Sequence, residues 1–150
     1  MNDRFVQLVH ALCDAAGLED AQTALAHEAI EVDGLSVQLH HTENDAQALY
    51  LHFDFGAVST VRRLRAYQLM LESNLTLYAQ DQAQLCLNAE TGHALLTVRV
   101  HMGDEIDGAW LVSTCNHYSE HGKYWRDNIS NALDDAFNGL CEGHYMWMRT

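Results

Sequence analysis

The side chains with most chemical capacity in this sequence are its 10 histidines and 4 cysteines. His117 and His121 stand four residues apart in a helical pattern, so both rings can face one ion, with Cys115 and Glu120 close by in sequence. Two ligands fall short of the four of a structural zinc site. There is no HExxH pair and no second cluster with zinc spacing, so these read as solvated or core-edge histidines and no metal is expected. His40, His41 and His52 fall on two alternating runs, with His40 and His52 on the polar side of each. Histidine titrates near neutrality, so a pH-sensitive patch is one reading, and ordinary surface or groove-lining histidines are the other. Cys13, Cys86, Cys115 and Cys141 are widely spaced with no CxxC pair, which points to reduced, mostly buried thiols rather than a disulfide framework. A cysteine nucleophile needs a base and an orienting third group. Cys86 and Cys115 instead sit in apolar patterns. Asp104-Glu105 and Asp134-Asp135 are adjacent residues, and neighbours on a helix point apart. No GxSxG elbow and no GxxxxGK[ST] phosphate loop is present, and no cofactor is expected.

Charge narrows the partners. Eight Lys+Arg against 21 Asp+Glu give a formal charge of −13 over 150 residues. A surface this negative repels phosphate backbones and anionic lipid, so neither nucleic acid nor a membrane is an expected partner. A basic or neutral protein is. Hydrophobic residues make up 48 % of the chain, enough for a packed core in one domain spanning residues 1–150. No apolar run approaches the ~20 residues of a membrane span. The first twenty residues lack a basic leader and carry Asp3 and Asp14, so the expected location is the cytoplasm.

The elements that must position these groups follow from periodicity. Phe5, Leu8, Val9, Leu12, Cys13 and Ala16 recur at three- and four-residue steps, predicting a helix capped by Asn2 or Asp3 and ended by Gly17. Residues 18–30 are Ala-rich and read as a loop with a short helical turn. Residues 35–41 alternate, with Leu35, Val37 and Leu39 on one face, after a turn at Asp33-Gly34. Residues 48–55 alternate again, with Leu49, Leu51, Phe53 and Phe55 inward, so the two runs pair as an antiparallel hairpin. A helix capped at Ser59 or Thr60 carries Val61, Leu64, Gln68, Leu71 and Leu75 on one side, with Tyr67 and Met70 alongside. Strands at 83–89 and 93–102 flank a turn at Glu90-Thr91-Gly92. Leu95 and Leu96 together imply that both faces are covered there. A last helix starts near Gly108 and carries Leu111, Cys115, Tyr118, Trp125, Ile129 and Leu133; Gly122 predicts a kink near 120–123. Trp110, Tyr124, Trp125 and Trp147 read as core or dimer contacts, and the tail 142–150 is aromatic. The order α-β-β-α-β-β-α, with no proline and no linker, is an α+β fold with helices packed on a twisted antiparallel sheet.

The segment Leu64-Arg-Ala-Tyr-Gln-Leu-Met-Leu-Glu-Ser-Asn-Leu-Thr-Leu77 ends in the Leu-Glu-x-Asn pattern Leu71–Asn74. An alternating strand, the acidic-Gly turn at 90–92 and an apolar strand follow. In this order, and in a short acidic chain, the sequence resembles the class I type III secretion chaperones of the Tir chaperone family. The resemblance implies a non-catalytic homodimer in the bacterial cytoplasm that binds the N-terminal segment of a secreted effector. That segment would wrap the dimer in extended form, adding a strand and burying alternate side chains. The resemblance points to Phe5, Leu8, Val9, Leu12, Val37, Leu39, Tyr50 and His52 as effector-binding residues, while Phe5, Leu8, Val9 and Leu12 also read as a plain core stripe whose surplus, if it is wider than the core requires, forms the groove. It points to Leu64, Tyr67, Gln68, Leu71, Leu96 and Val98 as contacts across the two-fold axis. Two other readings make different predictions. A small metal-dependent enzyme built on His117 and His121 would hold stoichiometric metal, and a regulatory adaptor of the same fold would bind a folded partner.

Overall fold

In the computed structural model, residues 2–18, 20–130 and 137–139 are described. Helix α1 runs Asp3–Ala16. The Asn2 side-chain oxygen accepts the free N–H groups of Arg4 (2.9 Å) and Phe5 (3.3 Å), and Gly17 closes the helix in a left-handed conformation at φ 71°. The helical turn expected within 18–30 is present as a two-turn helix, and the rest of the expected loop leads into a strand. Asp20 accepts from the N–H groups of Gln22 and Thr23 and starts α2, Ala21–His27. Strand β1, Ala29–Val32, then pairs with β2, Leu35–His40. The joint is Asp33-Gly34, with φ 52° and 79°. Two consecutive left-handed residues make the tight turn whose twist matches a hairpin. Asp-Gly is therefore the middle of a hairpin and not merely the lead-in to one strand.

Strand β3 covers Ala48–Ala57, β4 Ala83–Leu87 and β5 His93–His101. The sheet is antiparallel throughout among the described strands, in the order β1-β2-β3-β5-β4. Its register sets Val37 opposite Phe53, Phe53 opposite Leu96, and Leu51 opposite Leu39 and Val98. These side chains share one face, and all are buried in a single core with Leu8, Leu12 and Leu111 from the helices. The alternate positions Gln38, Tyr50, His52, Thr97 and Arg99 make the other face polar. Leu95 and Leu96 are both buried, as their adjacency implied.

Helix α4, Gly108–Trp125, packs beside α1 over the apolar face. Asp107 caps it by accepting from the Trp110 N–H at 2.8 Å. The expected kink at 120–123 is absent, because α4 runs unbroken to Trp125 and continues into a wider π-type turn at Arg126–Ser130. Gly122 is there for packing. A Cβ on it would stand 2.8 Å from Leu35 Cδ2 and 3.1 Å from Phe55 Cε1. Gly108 does the same at the helix–helix crossing, where a Cβ would lie 2.3 Å from the Ala11 carbonyl oxygen. Arg4 ties the start of α1 to the β5–α4 connection by donating to the carbonyls of Gly103 (2.8 Å) and Ile106 (2.9 Å).

Helix α3, Arg63–Asp81, is longer than the expected 61–75. Neither Ser59 nor Thr60 caps it; the Ser59 backbone carbonyl accepts from the Arg62 N–H instead. It packs along β4 with Ala66, Leu69, Met70, Ser73 and Leu77 buried. No described helix is long and apolar enough to cross a membrane.

Candidate functional site

Six of the eight residues expected to bind an effector are core. Phe5, Leu8, Val9, Leu12, Val37 and Leu39 are each at most 5 % exposed and hold α1 to the sheet. Their stripe is as wide as the core requires, with no apolar surplus turned outward. Tyr50 and His52 stand on the polar sheet face, half-buried. Leu96 and Val98, expected at a two-fold axis, are likewise inner-face core residues, 1 % and 4 % exposed.

The remaining four, Leu64, Tyr67, Gln68 and Leu71, lie on α3. Leu64 is 81 % exposed and Leu71 73 %, while Tyr67 is half-buried and Gln68 donates to Glu72 at 3.0 Å. The same side carries Leu75 at 83 % and Tyr78 at 57 %, and Val61 just before the helix is 94 % exposed. The spacing 61, 64, 71, 75, 78 is that of a second apolar stripe, opposite the buried one. A helix apolar on two sides has more to cover than its own core uses. Leu75 shared that spacing in the sequence, whereas Tyr78 lay beyond the expected end of the helix. A shallow hollow of about 410 Å³ lies at the foot of the stripe, between Leu71, Leu75 and Tyr78 on α3 and Gln84 on β4.

Asn74 stands in that hollow with a role its spacing did not reveal. Its side-chain NH2 donates to the Leu85 carbonyl (3.0 Å) and its Oδ1 accepts from the Leu85 N–H (2.6 Å). The amide thereby satisfies both backbone groups of Leu85 on the outer edge of β4, as a neighbouring strand would. The Leu-Glu-x-Asn pattern thus has a physical content, which is to dock α3 against a sheet edge.

On the polar sheet face, Arg99 forks onto Asp45 at 2.7 and 2.9 Å, and the Tyr50 hydroxyl donates to Asp45 at 2.6 Å. Those donors, Arg99 first and Tyr50 second, hold the Asp45 carboxyl down to about 2. His52 Nδ1 lies 2.9 Å from the Thr97 hydroxyl, which in turn lies 3.2 Å from Cys86 Sγ. Burial, and then the neighbouring His40, push the His52 pKa down. The His40 and His52 rings are 5.9 Å apart at the mouth of a concavity of about 250 Å³, with His27 and Glu28 opposite. His41 turns away and packs on Phe5, so the expected three-histidine patch has two of its members.

His117 and His121 do come together on α4, ring centroids 5.0 Å apart. Among the described residues no group of three or more His, Cys, Asp or Glu is placed to hold a metal ion. Cys13, Cys86 and Cys115 are free thiols. Burial raises the Cys115 pKa to about 12, which leaves it a poor nucleophile. Cys141, Leu133, the Asp134-Asp135 pair and Trp147 lie outside the described residues. A wider groove of about 550 Å³ runs between the end of β5 and the first half of α4, beside the exposed Trp110.

The whole arrangement has counterparts among solved structures. The ExsC–ExsE complex contains a chain that superposes with a TM-score of 0.68 at 13 % identity, over 89 % of this chain and 98 % of that one. The HopA1–SchA chaperone–effector complex gives 0.63 at 14 %, over 83 % and 94 %. The ExoT–SpcS complex from Pseudomonas aeruginosa gives 0.55 at 17 %, over 82 % and 97 %. At such identities the likeness is one of fold. A comparison with curated protein sequences gives no match. Sequence patterning decides the family instead: the model of the Tir chaperone protein (CesT) family matches residues 7–126, from α1 through the last turn of α4. With the Leu-Glu-x-Asn helix, the five-stranded sheet and the two flanking helices all inside that match, this chain belongs to the Tir chaperone (CesT) family.

Proposed function

We propose that this chain is a homodimeric type III secretion chaperone of the bacterial cytoplasm, without catalytic activity, that holds the N-terminal segment of a secreted effector in extended form. The observation that carries the dimer is the exposed stripe of α3. Leu64, Leu71, Leu75 and Tyr78 place apolar side chains in water over four turns of helix. A stripe repeated on a second copy meets itself across a two-fold axis, where each stripe covers the other. Leu96 and Val98 take no part, since they are already buried.

The solved structures of the same fold support the partner class, one of them being a chaperone–effector complex by its own description. An extended segment gains main-chain hydrogen bonds at a sheet edge and pockets for alternate side chains. Ordering it costs several kcal/mol, which a long contact must offset. The surfaces this fold leaves for such a contact are its sheet edge, the groove beside Trp110, and the polar face with Tyr50 and His52.

The test is purification from the native bacterium with light scattering and mass spectrometry. The expected species is two copies of this chain with one effector, cross-linked through the effector's N-terminal region. The Leu64→Asp/Leu71→Asp double variant should be folded and monomeric. A wild-type monomer carrying no effector would overturn the proposal.

A further inference from the structure

Strand β3 lies between β2 and β5, so a side chain on its polar face has neighbours on both sides. His52 uses both. Toward β5, its Nδ1 meets the hydroxyl of Thr97, its partner in the register, at 2.9 Å. Toward β2, its ring lies beside that of His40, centroids 5.9 Å apart. Gln38 is the β2 residue paired with His52, which makes His40 a diagonal neighbour, a spacing that two long side chains can close. Both rings line a concavity of about 250 Å³ that His27 and Glu28 also line.

The ring separation is one that a shared ion sets. An ion about 2.1 Å from one nitrogen of each ring, at a tetrahedral or wider angle, puts the two centroids roughly 5–6 Å apart. Thr97 meets the second need of such a ligand. With its proton on Nδ1 donated to that hydroxyl, His52 keeps the lone pair on Nε2, and the hydroxyl proton has Cys86 Sγ at 3.2 Å to go to. Burial, and then His40, hold the His52 pKa down, so the ring is uncharged at neutral pH, as a metal ligand must be. We infer that His40 and His52 form an open site for a divalent ion that prefers imidazole, of the zinc or nickel class, with Thr97 as its positioning residue. Among the described residues no third His, Cys, Asp or Glu is placed to join them. Water therefore holds the remaining positions, and the ion exchanges readily while tying β2 to β3.

Zinc alone is the probe, titrated calorimetrically into the full-length, reduced protein. One equivalent per chain should bind, excess magnesium should not displace it, and the ring signals of His40 and His52 should move in the NMR spectrum. His40 is exposed, so His40→Ala should abolish that equivalent with unchanged circular dichroism. Thr97→Val keeps the shape of the side chain and removes the hydroxyl, and should weaken binding about tenfold, with Thr97→Ser restoring it. The inference is overturned if wild type takes up no zinc, or if the zinc is lost in His117→Ala or Cys86→Ser instead. Several equivalents that persist in His40→Ala would overturn it too, as uptake by scattered surface histidines only. Thr97→Val binding as tightly as wild type would remove the positioning role. None of these measurements involves an effector, so the site stands or falls apart from the chaperone proposal.

Discussion

At the scale of single residues, His52 couples this fold to pH. Burial and His40 hold its pKa below the usual histidine value, so the unfolded chain takes up a proton at a higher pH than the folded one. Stability is therefore unaffected well above pH 6.5 and falls as the solution is acidified below it. The urea midpoint of wild type should drop between pH 7.5 and pH 5.5, and the drop should be smaller in His52→Asn. An equal drop in both proteins would place the sensitivity elsewhere. The sequence showed that His40 and His52 share the polar side of adjacent strands. It did not show the hydrogen bond to Thr97 on β5, since strand order across a helix is not written in local pattern. The same holds for Leu8 and Val37. Their periodicity said which way they face, but whether an apolar stripe is core or groove depends on what lies opposite.

At the scale of elements, glycine is where local propensity and packing disagree. Gly122→Ala improves helix propensity by about 1 kcal/mol. Its new Cβ, however, meets Leu35 and Phe55 inside contact distance. Overpacking of this kind costs ~1–3 kcal/mol, so the variant should be less stable than wild type in chemical denaturation, with α4 still helical. A gain in stability would mean that the sheet yields there at little cost. The kink expected at 120–123 came from weighing propensity alone. Strand β1 was missed for a related reason. It has four residues, follows a seven-residue helix and begins after a left-handed Glu28, so no run is long enough to show its period. The signal was nonetheless present in Asp33-Gly34 flanked by Ile30-Glu31-Val32 and Leu35-Ser36-Val37. The long elements, α1, β3, β5 and most of α4, were legible because each spans several turns or alternations.

At the scale of the molecule, two apolar faces on one helix would tie stability to the proposed dimer. If α3 is covered by a second copy, folding and dimerisation are linked by mass action. The urea midpoint should then rise with protein concentration in wild type and become independent of it in Leu64→Asp/Leu71→Asp. A midpoint constant over a hundredfold range in wild type would contradict the dimer. The α+β class and the family were legible in element order, charge and the Leu-Glu-x-Asn helix, because these are global patterns. Which surfaces remain open was not, because exposure is a property of the packed chain. Asn74 carries this furthest, since a side-chain amide is chemically a peptide group and the sheet here ends in a strand one residue long. Such a strand has a chemical lifetime. Deamidation of Asn74 would exchange its NH2 for an oxygen, turning a donor toward the Leu85 carbonyl into a repelling carboxylate. In an ageing molecule that carboxylate would still accept from the Leu85 N–H, but the Leu85 carbonyl would lose its donor, and hydrolysis of one bond would loosen the hold of α3 on the β4 edge.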